Sequence, residues 1–193
     1  MGWQETSYAV TIRREVDPSQ LAAIDDYALE AADEAGFLAG NAMFQNLSGS
    51  SWGEAAEAVA GEAALIARVA AAADLEVEAA RIEEERSEAF DEIDALWNLD
   101  IGVIAATISL SALGCAPVGS CNAGGFGGQH QASHPYVAFY LPPIAIAEVM
   151  ALAEAAGVGL LVDADGLAHL YADRDLGLAR FAELAVARHH PQP

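Results

Sequence analysis

Hydrophobic and polar positions repeat along the chain with a period of about two residues, as in strands, or about 3.6 residues, as in helices. Read from the N-terminus, these periods predict a strand, then helices, then a mixture of helices and strands. Residues 7–13 (SYAVTIR) alternate apolar and polar side chains, as in a half-buried strand. Asp17 and Pro18 then predict a helix start, because aspartate caps helices and proline fits the first helical turn. We expect that helix to end near Gly36.

Residues 52–98 contain no proline and are dominated by Ala, Glu, Leu and Arg, which are strong helix formers. Ser51 and Glu54 have the spacing of a capping box at the start of this segment. The pattern allows one long helix or two helices that are broken near Asp74. Beyond Asp74, acidic residues lie opposite a discontinuous apolar stripe, so we expect an amphipathic helix with an acidic face in solvent.

The second half begins with a long stretch without Asp, Glu, Lys or Arg, from Ile101 to Ala147. In so acidic a protein, such a stretch must be mostly core. Its first part approaches the length of a membrane span, but Gly102, Gly114 and Pro117 interrupt it, which favours a buried helix and strand. The segments predicted from here on are, in order, a helix at 101–113, strands at 116–121 and 135–141, a helix at 144–156, strands at 158–162 and 167–172, and a helix at 175–188.

The order α-β-β-α-β-β-α predicts an α+β fold, a two-layer sandwich in which helices cover one face of a mainly antiparallel sheet. The sheet has about five strands when residues 7–13 are included, and the long acidic amphipathic helices lie beside it. We treat residues 1–98 as an N-terminal strand and acidic helical region, and 99–193 as the α-β-β-α-β-β-α module. Together they are expected to form one compact domain.

The charge of the chain restricts its partners. The formal net charge is −21, with 29 acidic residues against eight arginines and no lysine, a composition typical of GC-rich bacterial genes. Such charge opposes direct binding to nucleic-acid phosphates or an anionic membrane. It favours plain solubility, a basic protein partner or mimicry of nucleic acid. Two cysteines and the lack of a secretory signal predict a reduced, cytoplasmic location.

A glycine-rich segment, SCNAGGFGGQHQASH, follows a predicted strand and supplies Cys121, His130 and His134. A thiolate and two imidazoles are suitable zinc ligands, and a fourth ligand would come from Asp163, Asp165, His169 or water. The spacing matches no standard structural zinc motif, so a polar loop with surface histidines is the alternative. The cofactor is therefore unknown, with zinc as the candidate.

The same segment also allows thiol chemistry. Cys121 would be the nucleophile, with His130, His134 or His169 as base, and Asp163 or Asp165 would orient that base. Backbone amides of the glycines would stabilise an oxyanion. Against this, almost no nearby positive charge is available to activate the thiol, and cysteine is often simply buried. Phosphate binding by GGFGG is disfavoured because neither a lysine nor a helix start follows it.

Four acidic residues, Glu84, Glu88, Asp91 and Glu92, have spacings that place carboxylates on one helix face. They allow a magnesium or calcium site, a solvated surface or a docking surface for a basic protein. The leading interpretation is a cytoplasmic protein-binding module of the antitoxin, immunity-protein or accessory-subunit type. One alternative is a small metal- or thiol-dependent hydrolase centred on Cys121, His130 and His134, and another is a nucleic-acid mimic. Exposed helices also allow a homodimer.

Overall fold

The computed structural model describes residues 3–88, 99–127 and 132–190 of the chain. Within these ranges the chain forms six α-helices and a five-stranded sheet. The helices are α1 (Asp26–Ala35), α2 (Trp52–Ala71), α3 (Leu75–Glu88), α4 (Ile104–Ala112), α5 (Ile146–Ala156) and α6 (Gly177–His189). The strands are β1 (Arg14–Glu15), β2 (Ala116–Cys121), β3 (Tyr136–Tyr140), β4 (Gly159–Val162) and β5 (Ala168–Tyr171).

The N-terminal segment differs from its prediction. Of residues 7–13, Ser7 forms only an isolated bridge to Arg174, and the strand β1 follows this segment. Asp17 does cap through its side chain, but it caps a 3₁₀ turn at Pro18–Gln20, because the chain becomes extended again at Leu21. The first α-helix therefore begins later, and its end at a left-handed Gly36 is as predicted.

The alanine- and glutamate-rich segment forms two helices. Ser51 and Glu54 form both hydrogen bonds of the predicted capping box at the start of α2. The chain leaves the helix at Ala72, and the side chain of Asp74 then accepts the amide N–H groups of Glu76 and Val77. Asp74 thus starts α3, which explains why the helix is broken at this point.

The sheet has the order β1-β4-β5-β3-β2 and is mixed, so the prediction of a mainly antiparallel sheet is wrong. β2–β3, β3–β5 and β4–β5 are antiparallel, whereas β1 pairs with β4 in parallel. The error has a physical origin in the first strand. A hairpin gives antiparallel strands, but β1 reaches β4 from far away in sequence, so no turn determines its direction.

One face of the sheet carries the main core. Alternation along β3 and β5 places Val137, Phe139 and Leu170 on this face, where they pack with residues of α4, α5 and α6. The helix α2 packs in turn on α4 and α6. On the opposite face, α1 packs near Ala116 and Tyr140, so helices lie on both faces rather than on one.

The uncharged stretch forms the centre of this core. α4 has only nine residues, and it is buried on all sides from Ile104 to Ser111. Strand β2 follows directly, as the glycines and proline had indicated. No helix in the described part of the chain is long and apolar enough to cross a membrane.

Candidate functional site

A cleft of about 640 Å³ lies over the part of the second sheet face that α1 leaves uncovered. Its floor includes Tyr136 and Ala138 of β3 and His169 of β5, which alternate with the core-facing residues of the same strands. The connector between α1 and α2 forms one wall through Asn41 and Met43. Strands β3 and β5 therefore form the floor of the cleft, and the α1–α2 connector forms one of its walls.

Asp163 and His169 form a hydrogen-bonded pair of titratable groups in the cleft. They lie at the two ends of the β4–β5 hairpin turn, and Asp163 Oδ2 is 2.7 Å from His169 Nε2. The other carboxylate oxygen, Oδ1, accepts the amide N–H groups of Asp165 and Leu167, each at 2.9 Å. The turn thus holds the carboxylate in place, and the carboxylate holds the imidazole.

Protonation of Asp163 follows from these contacts. Partial burial acts against the charged carboxylate, but the hydrogen bond from His169 and those from the two amides outweigh it. As a result, the pKa of Asp163 lies below its ordinary value. Asp163 is therefore ionised at neutral pH and accepts a hydrogen bond from the ring N–H of His169.

Two further side chains surround His169. The ring of Tyr136 is tilted against the imidazole, with the ring centroids 5.6 Å apart. Burial raises the pKa of Tyr136, and Cys121 and Asp100 raise it further. His134 packs edge-on against Tyr171, and burial, together with the charge of His169, lowers the pKa of His134. His134 is thus favoured in its neutral form.

Cys121 lies at the end of β2, on the same sheet face, but strand β3 separates it from His169. Cys121 pairs with Tyr136, and Tyr136 pairs with Tyr171 on β5. Two strand spacings make the Cys121-to-β5 separation about 10 Å, too long for a direct proton transfer. The Sγ atom of Cys121 instead accepts the amide N–H of Ala123 at 3.4 Å. His134 stays a candidate base for Cys121, and His130 lies outside the described residues.

The described part of the glycine-rich segment is held by contacts of its own. The amide N–H of Gly124 donates to Asn122 Oδ1, that of Gly125 to the Asn122 carbonyl, and that of Gly127 to the Gly124 carbonyl. These three amides are therefore engaged within the loop. The predicted oxyanion site would have to use other donors or a rearranged loop.

The N-terminal segment packs against the same loop, and we call its contacts through Trp3, Thr6 and Tyr8 the N-terminal clasp. Trp3 donates from Nε1 to the Gly125 carbonyl at 2.9 Å and stacks on Phe126. Asp175, which is buried, accepts the Tyr8 hydroxyl and the Thr6 amide N–H, both at 2.6 Å. Burial and the hydrogen bond to Asp175 raise the pKa of Tyr8. This clasp was not predicted, because residues far apart in sequence form it.

The predicted metal ligands are only partly described. Among residues 3–88, 99–127 and 132–190, no three His, Cys, Asp or Glu side chains are grouped to hold a metal ion. Of the predicted set Cys121, His130 and His134, the middle residue lies outside these ranges. A zinc site that includes His130 stays a prediction.

The acidic helix is also described in part. Glu84 is exposed on α3, whereas the Glu88 side chain and residues Asp91 and Glu92 lie outside what the structure describes. Two neighbouring acids are neutralised by arginines: Arg68 on α2 pairs with Glu78 and Glu85 at 2.9 and 2.8 Å. The partner-binding role of Glu84, Glu88, Asp91 and Glu92 stays a prediction.

Sequence reasoning missed Glu62, a buried carboxylate on α2. Its oxygens accept the amide N–H groups of Gly102, Ile104 and Ala105 at 2.8, 2.8 and 3.2 Å. A signal was present, because Glu62 stands at helical spacing between Val59 and Ile66 on the apolar side of α2. An acid at such a position needs a buried partner, and here the partner is the start of α4.

No family model, curated protein or solved structure matches the chain.

Proposed function

We propose that this chain is a protein-binding module that engages a basic partner through its acidic helical surface, in the manner of an antitoxin, an immunity protein or an accessory subunit. The observation that carries the proposal is how the few cations are used. Five of the eight arginines form ion pairs with the chain's own carboxylates. A sixth, Arg86, is partly buried, and burial lowers its pKa. The large acidic excess is thus left without compensation at the surface.

The outer side of α3 supports this proposal. Glu84 lies two turns beyond Val77 on the same side of the helix, and Val77 is 66% exposed. An exposed apolar side chain beside carboxylates is suited to a partner that presents both apolar and basic groups. The field of the acidic surface would accelerate the encounter with such a partner, and the apolar contact would lengthen the life of the complex.

A charge-reversal experiment tests the proposal. Glu84, Glu88, Asp91 and Glu92 are changed together to Arg, and partners are captured from the source cell and quantified by mass spectrometry. The matched control reverses four exposed acids elsewhere: Asp26, Glu30, Glu34 and Glu57. We expect the first variant to lose a partner that the wild type and the control retain, and the retained complex to weaken as salt is raised.

Two results would argue against this function. If both variants keep the same partners as the wild type, the acidic surface has no specific role. If a captured partner is a nucleic-acid-binding protein that DNA displaces, mimicry of nucleic acid is the better description. Circular dichroism of both variants excludes unfolding as the cause of a loss.

A hydrolase centred on Cys121, His130 and His134 is the second candidate. The observation that favours it is that Cys121 is partly exposed at the end of β2, on the same sheet face as the cleft. Elemental analysis of protein purified without chelator, compared with a Cys121→Ser/His130→Ala double variant, tests the metal-dependent form. Stoichiometric zinc that disappears in the double variant would support it, and a metal-free, folded wild type would remove it. For the thiol-dependent form, Cys121→Ser should abolish hydrolysis of a neutral ester while leaving the fold intact.

A further inference from the structure

We propose that Asp163 and His169 form a general-base pair that activates water against an uncharged or cationic ester in the cleft on the second sheet face. The inference does not rest on the partner-binding proposal. It also differs from the hydrolase centred on Cys121, because it requires neither the thiol nor a metal ion.

The first support is the orientation of the imidazole. Asp163 faces Nε2 of His169, and an ionised carboxylate can only accept a hydrogen bond. The proton of neutral His169 is therefore fixed on Nε2, and the lone pair is on Nδ1. Within the described part of the chain, Nδ1 makes no hydrogen bond. A base with a fixed tautomer and a free lone pair is what water activation requires.

The second support is the rigidity of both groups. His169 stands on β5, which pairs with strands on both sides, and its neighbours Ala168 and Leu170 are fully buried in the core. Asp163 is fixed by the two amide N–H groups of its own turn. Side chains on paired strands hold their geometry better than side chains on loops, so little order has to be gained when a substrate arrives.

The third support is the cleft, which sets the class of substrate. At about 640 Å³, the cleft has the volume of a small-molecule site, and its lining combines Met43, Leu47 and Ala138 with polar groups. Among the described residues of the lining, the other charged side chain is Asp165, which also carries a negative charge. Anionic substrates would be repelled, whereas neutral and cationic acyl compounds would be admitted.

The proposed step balances without any other reactant. Nδ1 of His169 takes a proton from water while the water oxygen bonds to the acyl carbon, and the carbonyl π electrons move to oxygen. When the tetrahedral intermediate collapses, the bond to the leaving alkoxide breaks, and His169 returns its proton to that oxygen. The products are a carboxylic acid and an alcohol. Asp163 acts as a positioning residue, because it stabilises the imidazolium without touching the substrate.

Nuclear magnetic resonance tests the geometry without a substrate. Long-range ¹H–¹⁵N spectra of the full chain report which ring nitrogen of neutral His169 carries the proton. We expect the Nε2–H form in the wild type and a mixture of forms in Asp163→Asn. If the wild type carries its proton on Nδ1, the lone pair faces Asp163 and the proposal is overturned.

Kinetics with defined esters test the activity. 4-Nitrophenyl acetate is the neutral probe and 4-nitrophenyl hemisuccinate is the anionic one. We expect saturable hydrolysis of the acetate, with kcat/KM at least about tenfold lower in His169→Gln and several-fold lower in Asp163→Asn. The anionic ester should have a kcat/KM about tenfold lower than the neutral one, and the difference should shrink as salt is raised.

Controls separate this activity from other sources. His190→Gln removes an exposed histidine outside the cleft and should leave the rate unchanged. Equal rates in wild type and His169→Gln, or hydrolysis that does not saturate, would overturn the proposal. Loss of activity in Cys121→Ser would instead favour the thiol site.

Discussion

The carboxylate of Glu62, on α2, accepts the amide N–H of Ile104 at 2.8 Å and so caps a helix to which it does not belong. The start of α4 has no cap of its own, because Val103 stands at the cap position and has no polar side chain. Helix starts leave amide N–H groups without partners, and in the core no water can satisfy them. Glu62 thus joins α2 to the central helix.

The first prediction concerns the dependence of stability on pH. Burial raises the pKa of Glu62 from an ordinary 4.5 to about 7, against the opposing effects of three amide donors and Arg86. Between these values the folded state binds the proton that the unfolded state releases, so this group makes the protein less stable as pH rises. Loss of about 3 kcal/mol between pH 4.5 and 7 is the expected order of magnitude.

Glutamine at position 62 should remove this dependence. The free energy of unfolding is measured for wild type and Glu62→Gln by urea denaturation from pH 5 to 8. The two curves should converge or cross, because only the wild type has a group at position 62 that gains or loses a proton. Glu57→Gln, on the exposed side of α2, is the matched control and should keep the wild-type slope. Parallel curves for wild type and Glu62→Gln would show that Glu62 keeps one protonation state throughout.

The second prediction concerns two glycines with opposite expected effects. A Cβ at Gly125 would overlap Asp175 Oδ1, and it would also lie 3.0 Å from the Tyr8 hydroxyl oxygen. Gly125→Ala should therefore displace the N-terminal clasp and destabilise the protein by about 2 kcal/mol or more. Gly61 lies inside α2, and apart from its adjacent residues and the backbone of its own helix no atom lies within 4 Å of its Cβ position, so Gly61→Ala should stabilise by about 1 kcal/mol. Thermal unfolding of the two variants is the measurement, and equal shifts would contradict the steric argument.

The fold was predicted best where neighbouring residues determine it. The order of helices and strands from 101 to 188 is the one observed, because hydrophobic periods and the stops at Gly157 and Pro142 act over a few residues. The first strand and the parallel pairing of β1 could not be predicted. They depend on contacts such as Leu160 N–H to the Arg13 carbonyl, which only the folded chain brings together.

The candidate site was predicted in the same uneven way. Asp163 was named as an acid that orients a base, and His169 was among the bases considered, but sequence alone could not choose between three histidines. The choice depends on the hairpin, which brings residues 163 and 169 together across its turn. Cys121 lies opposite Tyr136 because strands β2 and β3 pair, and no local sequence pattern predicts this pairing.

The third prediction concerns the attachment of α3. Arg68 bridges α2 to Glu78 and Glu85 of α3, and Arg81 joins the same group through Glu78. Glu78 is partly buried, but Arg81 and Glu85 are exposed and Arg68 is half-exposed, so we expect a local effect rather than global unfolding. In Arg68→Gln, amide hydrogen exchange in α3 should become faster while exchange in α4 stays unchanged.

Arg180→Gln is the control for α3, because Arg180 pairs with Glu183 of its own helix. It should leave exchange in α3 at the wild-type rate. Raising the salt concentration should bring the wild type closer to Arg68→Gln, since screening weakens the same ion pairs. If α3 exchanges equally in wild type and Arg68→Gln at low salt, apolar contacts such as that of Ile82 hold the helix instead.

The fourth prediction separates the two cysteines by reactivity. Cys115 is buried in the core, and burial raises the pKa of its thiol to about 12, so it holds almost no thiolate at neutral pH. Cys121 is partly exposed at the end of β2. Native protein should therefore release about one equivalent of thionitrobenzoate from Ellman's reagent, and denatured protein two. Cys121→Ser should abolish the native reaction, whereas Cys115→Ala should preserve it. A buried thiol such as that of Cys115 can react only after local unfolding. Rapid release of two equivalents by the native protein would therefore mean that the strand and helix around Cys115 open far more readily than their packing implies.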